Sequence, residues 1–394
     1  MRYSSLILGG GAAGIAAAIS AARNGKRVAI CERMPALGRK ILASGNGRCN
    51  LLNERLDESY YNLAGRGLVK SVFARFGKDK IAGFFKSMGV EIYSEYGRYF
   101  PATNQSASVL KALELELDRL SITIELNFDV MDIACSKEQF TLKSISGKEI
   151  KSASVILACG GNTYPALGSD GSAYKLAARF GHTITKPVPA AVPLVTKDPL
   201  CHPLQGQKIR ASVKGLIGQR VTDEVQGDLL FTKYGLSGTA ILDISEEISI
   251  AINRDDNADI GVLVDMVPFM SRPQLKDELK GRSAKGYRPE DLLTGILPNK
   301  FGTALRGILD KGDTDEIVDC LKNRCFKIAA TRGWNEADFT AGGVDVKDID
   351  TDRLESKLKK GLYFAGEILD VNGKRGGYNL AWAWASGYVA GSAV

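Results

Sequence analysis

Histidine is nearly missing from this chain: its 394 residues hold two, His182 and His202. That leaves a histidine-rich metal centre or a histidine-based catalytic triad with little material, and no metal site is expected. The seven cysteines (Cys31, Cys49, Cys135, Cys159, Cys201, Cys320 and Cys325) include no C-x-x-C pair and no metal-ligand spacing. With an odd count and no secretory layout at the N-terminus, they read as reduced thiols. No apolar run reaches the ~18 residues that a membrane-spanning helix needs, so no membrane partner and a cytoplasmic location are expected. There is no Lys/Arg-rich run with interleaved aromatics, and a net charge of +7 is modest for this length. That argues against a nucleic-acid partner and suits a small anionic one. The oligomeric state stays open.

What is abundant is glycine, 43 residues clustered at turns beside strands. The stretch that organises the rest is Leu6-Ile7-Leu8-Gly9-Gly10-Gly11-Ala12-Ala13-Gly14. An apolar strand runs into G-x-G-x-x-G and then into the alanine-rich helical pattern Ile15–Asn24, which is the context the motif requires. Gly9 makes the tight turn, Gly11 lets a pyrophosphate approach the backbone, and Gly14 allows close helix–strand packing. Ala12 and Ala13 stand between Gly11 and Gly14, just ahead of a helix whose N-terminal N–H groups and dipole favour the phosphates. A second strand, Arg27–Cys31, ends on Glu32, placed to accept ribose hydroxyls, with Arg33 beside it. The segment therefore reads as a Rossmann-like dinucleotide-binding unit, and the fold class as α/β.

Next comes Gly38-Arg39-Lys40, then Ser44-Gly45-Asn46-Gly47-Arg48-Cys49-Asn50, a glycine loop with cations that can wrap a pyrophosphate. Lys70–Met88 reads as one helix. Ile122–Leu126 and Phe128–Ala134, which holds Val130, read as strands. A hairpin follows, Phe140–Ile145 with Glu149–Lys151, and then a separate buried strand, Ser154–Ala158. That strand ends in Ala158-Cys159-Gly160-Gly161 and Tyr164, which is not a second complete fingerprint. One dinucleotide site is counted. Proline then becomes dense from Pro187 to Pro203, and short strands follow: Gln207–Lys214, Gln219–Val225 and Asp228–Thr232. Arg272–Arg324 reads as helical, with Pro289 opening one helix and Pro298 closing it. Near the C-terminus, Gly366-Glu367, Asp370 and Gly376-Gly377-Tyr378-Asn379 form a glycine loop before a small-residue helix, suited to face the electron-rich edge of a flavin.

These segments together resemble the bacterial FAD flavoproteins that include BaiN-type bile-acid reductases and aminoacetone oxidases. The resemblance runs end to end, and Gly45–Asn50 with Gly366–Gly387 are its most specific parts. It implies FAD held by the first and last segments, in the two-dinucleotide-binding flavoprotein type of Rossmann fold. It implies an FAD-binding domain over 1–189 and 340–394. Residues 190–339 would be an inserted domain with a small β-barrel and helices. The pattern F-T-H-x-G-x-S-G-P of the group reads Phe231-Thr232-Lys233-Tyr234-Gly235-Leu236-Ser237-Gly238-Thr239 here, so a histidine is replaced by Lys233. The expected activity is a flavin oxidoreductase acting on a small molecule. The resemblance offers either reduction of an enone-type C=C bond, as in bile-acid-like substrates, or oxidation of a small amine by oxygen. A tRNA-modifying enzyme and a non-catalytic flavin binder are the alternatives. A nicotinamide donor, NAD(P)H, would have no Rossmann site of its own and would dock transiently beside the flavin. Tyr164 and Lys233 are the candidate proton donors, Lys233 equally readable as a solvated loop lysine.

Overall fold

The strand Tyr3–Leu8 lies mid-sheet because Leu6, Ile7 and Leu8 have no exposed face to spare; each is at most 1% exposed. In this computed structural model, which describes residues 3–257 and 259–394, it pairs in parallel with Val28–Cys31 on one side and Glu149–Leu157 on the other. Thr123–Glu125 extends the sheet in parallel beyond Val28–Cys31. Such all-buried parallel strands need helices on their faces. The helix Ala12–Arg23 supplies one, and Tyr378–Ala393 packs against that helix.

The contact between these two helices is backbone to backbone. A Cβ built on Gly387 would lie 2.2 Å from the Ala13 carbonyl oxygen, and one on Gly391 would lie 2.2 Å from that of Ala17. Small residues at both positions are what let the helices approach.

Glu149–Leu157 is one strand, not a hairpin arm followed by a separate strand. Its first half alternates exposed and buried and pairs antiparallel with Gln139–Ser144. Its second half is continuously buried, between Tyr3–Leu8 and Leu362–Phe364, both parallel to it. The change of pattern inside one strand is a change of neighbours, and it mimics a break. The segment read as the helix Lys70–Met88 is likewise two helices, Arg66–Arg75 and Lys78–Lys86. Phe76 leaves the helical region (φ −140°, ψ 68°) and stacks on Tyr388 at 3.9 Å.

By internal contacts the chain divides into two compact units, Met1–Pro187 with Phe339–Val394, and Val188–Asp338. In the second, six strands close a barrel. Around it run Lys208–Ile217, Val225–Thr232, Gly235–Ser237, Leu194–Thr196, Arg324–Thr331 and Ile260–Asp265, which returns to pair with Lys208–Ile217. Phe231 and Phe326 fill its core, with Phe301 edge-on to Phe231 at 5.7 Å. The first of the short strands is longer than its expected Gln207–Lys214, since Lys208–Ile217 runs on through Gly215. The stretch Arg272–Arg324 holds separate helices, Arg272–Ala284, Lys300–Ala304, Arg306–Leu309 and Thr314–Lys322, and its end already belongs to a strand. Pro298 precedes a helix instead of closing one.

Candidate cofactor site

At the glycine turn the three positions do different work. Gly9 has φ +100°, and a side chain there would strike the Ala158 carbonyl oxygen at 2.5 Å. Gly14 packs on the Gly9 carbonyl, which would lie 1.9 Å from an added Cβ. Around Gly11 nothing stands within 4 Å of where a Cβ would be. Gly11 is also the N-cap of the helix Ala12–Arg23, and no side chain caps it. The turn thus presents open backbone at an uncapped helix N-terminus, an arrangement that favours an anion.

Glu32 stands beside this turn and is 9% exposed. Its Oε2 accepts the Gly10 N–H at 2.6 Å and its Oε1 accepts the Met34 N–H at 2.8 Å. Burial raises its pKa, and these N–H bonds oppose the rise. Each oxygen keeps a further acceptor site, so ribose hydroxyls can still be received. Arg33 points to carboxylates of the protein itself, Asp129 at 3.0 Å and Asp170 at 2.5 Å.

The segment from Gly38 is tied to the glycine turn by the Gly38 N–H, which donates to the Gly10 carbonyl at 2.8 Å. Gly38 is left-handed (φ 66°) and opens the short helix Arg39–Ala43. Farther on, Gly45 (φ 58°), Asn46 (φ 55°), Gly47 (φ 82°) and Cys49 (φ 61°) are all left-handed. Left-handed residues among right-handed ones turn successive N–H groups into a concavity for an anion. No atom lies within 4 Å of a Cβ position on Gly47, so this concavity is open. Arg48 turns elsewhere: its guanidinium lies over the Phe100 ring at 4.0 Å and binds Glu95 at 2.8 Å. The Asn50 Oδ1 is buried with no hydrogen-bond partner among the described residues, close to Gly377.

Chain segments far apart in sequence meet on Glu367. Its Oε2 accepts from Lys40 Nζ at 2.8 Å and the Gly161 N–H at 3.4 Å; its Oε1 accepts from the Thr340 N–H at 2.8 Å and the Thr163 hydroxyl at 3.3 Å. Burial would raise this carboxyl, but the Lys40 charge and these bonds outweigh it and hold the pKa below the ordinary value. Gly161 leaves no room for a side chain, because Thr340 Oγ1 would lie 2.3 Å from its Cβ. Gly160 is left-handed, and Tyr164 is too, at φ 56°, a costly conformation for an aromatic residue. Ala158 bonds to Leu8 through its N–H at 2.8 Å, and the Cys159 thiol, pushed up to about 12 by burial, donates to the same carbonyl at 3.4 Å.

The last loop closes on itself. Asn379 bonds both the N–H and the carbonyl of Gly373 at 2.8 Å, and Asn62 holds Asp370 through its side-chain amide at 3.2 Å. Gly376 and Gly377 have φ 121° and 103°; Gly377 is the N-cap of Tyr378–Ala393, again without a side-chain cap. Tyr378 stacks on Tyr60 at 4.6 Å. Val130 opens the strand Val130–Ser136 and is partly buried.

The family model described as HI0933-like protein Rossmann domain matches residues 3–393 of this chain. The chain belongs to this HI0933-like Rossmann family. It is 38% identical over 403 residues to the 3-dehydro-bile acid delta(4,6)-reductase of Clostridium scindens, covering 98% of each chain. It is 29% identical over 411 residues to a ribosomal RNA dihydrouridine synthase of Haemophilus influenzae, covering 100% of this chain and 99% of that one. Among solved structures, a flavocytochrome c3 fumarate reductase in an open conformation shares the fold, with TM-score 0.54 at 17% identity over 99% of this chain and 78% of that chain. So does the 3-ketosteroid delta1-dehydrogenase of Sterolibacterium denitrificans, with TM-score 0.52 at 12% identity over 99% and 98%.

Within this HI0933-like chain, the glycine turn, the Gly38–Asn50 segment, Gly160–Tyr164 and the loop before the last helix all fall in the first unit. Lys233 falls in the second, exposed in the hairpin turn between Val225–Thr232 and Gly235–Ser237. Thr163, in a bend, and Thr340, in the strand Phe339–Val344, complete the Glu367 cluster, and neither carries a spacing signal in the sequence. Asp129 and Asp170, the partners of Arg33, lie outside strands and helices, where no periodicity marks them. Among the described residues, no group of three or more His, Cys, Asp or Glu could hold a metal ion, and no helix is long and apolar enough to cross a membrane.

Proposed function

We propose that this protein is an FAD-dependent oxidoreductase that saturates a C=C bond conjugated to a carbonyl in a small organic substrate. The observation that carries the proposal is the near-full-length 38% identity to a reductase of that type, on a chain whose glycine-turn and loop residues suit the cofactor. The fit rests on two uncapped helix N-termini at Gly11 and Gly377, the open space at Gly11 and Gly47, and the unpartnered Asn50 Oδ1. FAD would be held by Gly9–Gly14 and Glu32 at its adenosine and pyrophosphate, by Gly38–Asn50, and by Gly160–Gly161 and Gly366–Asn379 towards the ring. Bound FAD supplies the hydride, and the protein orients and tunes it.

The chain's own work is to place the substrate, exclude water and deliver a proton to the carbon next to the carbonyl. Tyr164 is the proposed donor; its left-handed backbone is the kind of local strain that functional sites retain. Lys233 is the alternative, as an exposed amine in the insert. NAD(P)H is the proposed reductant. With one complete fingerprint in the chain, donor and substrate would take turns at the flavin and give ping-pong kinetics.

A second reading has a specific observation in its favour: the ribosomal RNA dihydrouridine synthase matches the chain over its whole length. Uridine to dihydrouridine is also saturation of a C=C bond conjugated to a carbonyl, so the chemistry is shared and only the substrate differs. The test is anaerobic reduction of the purified flavoprotein with NADH or NADPH, then reoxidation by a 3-oxo-4,6-diene steroid acid or by unmodified ribosomal RNA. Flavin reoxidised by the steroid supports the first reading, and by RNA the second. Reoxidation by neither, with an amine reducing the flavin and oxygen consumed, overturns both.

A further inference from the structure

Four cations stand in the two stretches that follow the glycine turn, and three of them are already engaged. Arg33 is held between Asp129 and Asp170. Lys40 is held by Glu367 and also donates to the Thr163 hydroxyl at 2.9 Å. Arg48 binds Glu95, the Tyr93 hydroxyl at 2.8 Å and Asn104 at 2.9 Å. Each of these cations is neutralised by a carboxylate of the chain, so none brings net charge to a ligand.

Arg39 differs. It is partly buried, yet its side chain has no hydrogen bond or ion pair among the described residues. It directly follows Gly38, whose N–H is bonded to the Gly10 carbonyl of the glycine turn. A guanidinium on a partly buried residue next in sequence to the glycine turn's partner, with no anion of its own, is set to receive one from outside.

Resting on the flavin reading above, we infer that Arg39 is the single side-chain cation that counters the FAD pyrophosphate. Arg33, Lys40 and Arg48 are scaffold charges that hold the cofactor segments together. The rest of the pyrophosphate's recognition falls to the backbone N–H groups of the glycine turn and of the Gly45–Gly47 concavity.

The experiment is titration of the flavin-free protein with FAD, followed by quenching of flavin fluorescence at low and high salt, with the melting temperature of each flavin-free variant recorded. Arg39→Gln should melt like the parent, bind FAD about 10-fold or more weakly at low salt, and lose most of the salt dependence. Arg39→Lys should restore that dependence, because the charge returns. Arg48→Gln should lower the melting temperature while keeping the parent's salt dependence. The double variant Lys40→Met/Glu367→Gln removes a neutral pair, so it should keep that dependence too. A parent-like salt dependence in Arg39→Gln, or an equal loss in Arg48→Gln or in the double variant, overturns the inference while FAD still binds. Failure of the parent itself to bind FAD refutes the flavin reading instead.

Discussion

Lys40 Nζ lies 2.8 Å from Glu367 Oε2, joining residues 327 apart in sequence. The pair links the segment after the first strands to the loop before the last helix, and Thr340 and Gly161 converge on the same carboxylate. Segments that the chain supplies from both of its ends, the ones proposed to hold the cofactor, are therefore fastened at one point inside the first unit.

From this follows a pH and stability prediction. The Glu367 pKa is depressed in the folded protein, so the carboxylate stabilises the fold above the unfolded value of about 4.3. That contribution is lost as pH falls through the lower, folded value. Glu367→Gln leaves Lys40 without its counter-charge, and the pair is only partly screened by solvent. It should cost about 1–3 kcal/mol at neutral pH. Denaturant midpoints of parent and variant should converge as the pH is lowered towards 3; a constant difference would assign the cost to packing instead.

The glycines give a sharper contrast. A Cβ on Gly11 meets nothing within 4 Å among the described residues beyond its chain neighbours, at a backbone angle of −84° that any residue adopts, so flavin-free Gly11→Val should fold like the parent. Its branched side chain fills the approach to the backbone, and the purified variant should be flavin-poor. Gly14→Ala places a methyl 1.9 Å from the Gly9 carbonyl and should destabilise the fold itself, by about 1–3 kcal/mol. Flavin content per chain and melting of the flavin-free forms separate the two. Equal melting loss in both variants would contradict this division of roles. Glu32→Ala falls between them, because the carboxylate also braces the Gly10 and Met34 N–H groups.

Much of this arrangement was legible in the chain because it is written in local chemistry. Strand, glycines, helix and acid follow one another from Leu6 to Glu32, and a reader needs only their order. What was not legible depends on partners brought from a distance. Arg33 and Arg48 look like phosphate ligands in sequence, and only the fold shows Asp170 and Glu95 already opposite them. The continuous strand Glu149–Leu157 was split because its exposure changes midway with its neighbours. The break at Phe76 was hidden because an aromatic residue there fits a helical stripe as well as it fits a stack on Tyr388.

The thiols are expected to be inert. All seven cysteines are free; Cys31, Cys49, Cys159 and Cys201 are each pushed up to about 12, chiefly by burial. A thiol with so high a pKa holds almost no thiolate near neutrality and reacts slowly. Alkylation of the unfolded protein should find the same number of free thiols before and after reduction of the flavin. A change of two that follows the flavin's redox state would reveal a disulfide couple and refute this.

His182 is buried, 4% exposed, with its ring edge-on to Phe364 at 4.8 Å and Nε2 2.7 Å from the Ser356 hydroxyl. Its Nδ1 has no hydrogen-bond partner among the described residues. Burial lowers its pKa, against a smaller opposing pull from Asp348. The folded state therefore prefers the neutral ring, and the unfolded state binds a proton more readily. By linkage, stability is fully present above the unfolded value of about 6.5 and is lost as pH falls below it, by at most ~1.4 kcal/mol per pH unit until the folded pKa is reached. His182→Gln keeps a side chain able to bond Ser356 and removes the titration. Urea midpoints of the flavin-free protein measured from pH 7.5 down to pH 5, values of about the range over which histidine titrates, should fall more steeply in the parent than in the variant. Since His202 is the only other histidine, the difference in slope isolates His182. Parallel slopes would mean that the ring is protonated as easily inside the fold as in the unfolded chain, with Asp348 then offsetting burial in full.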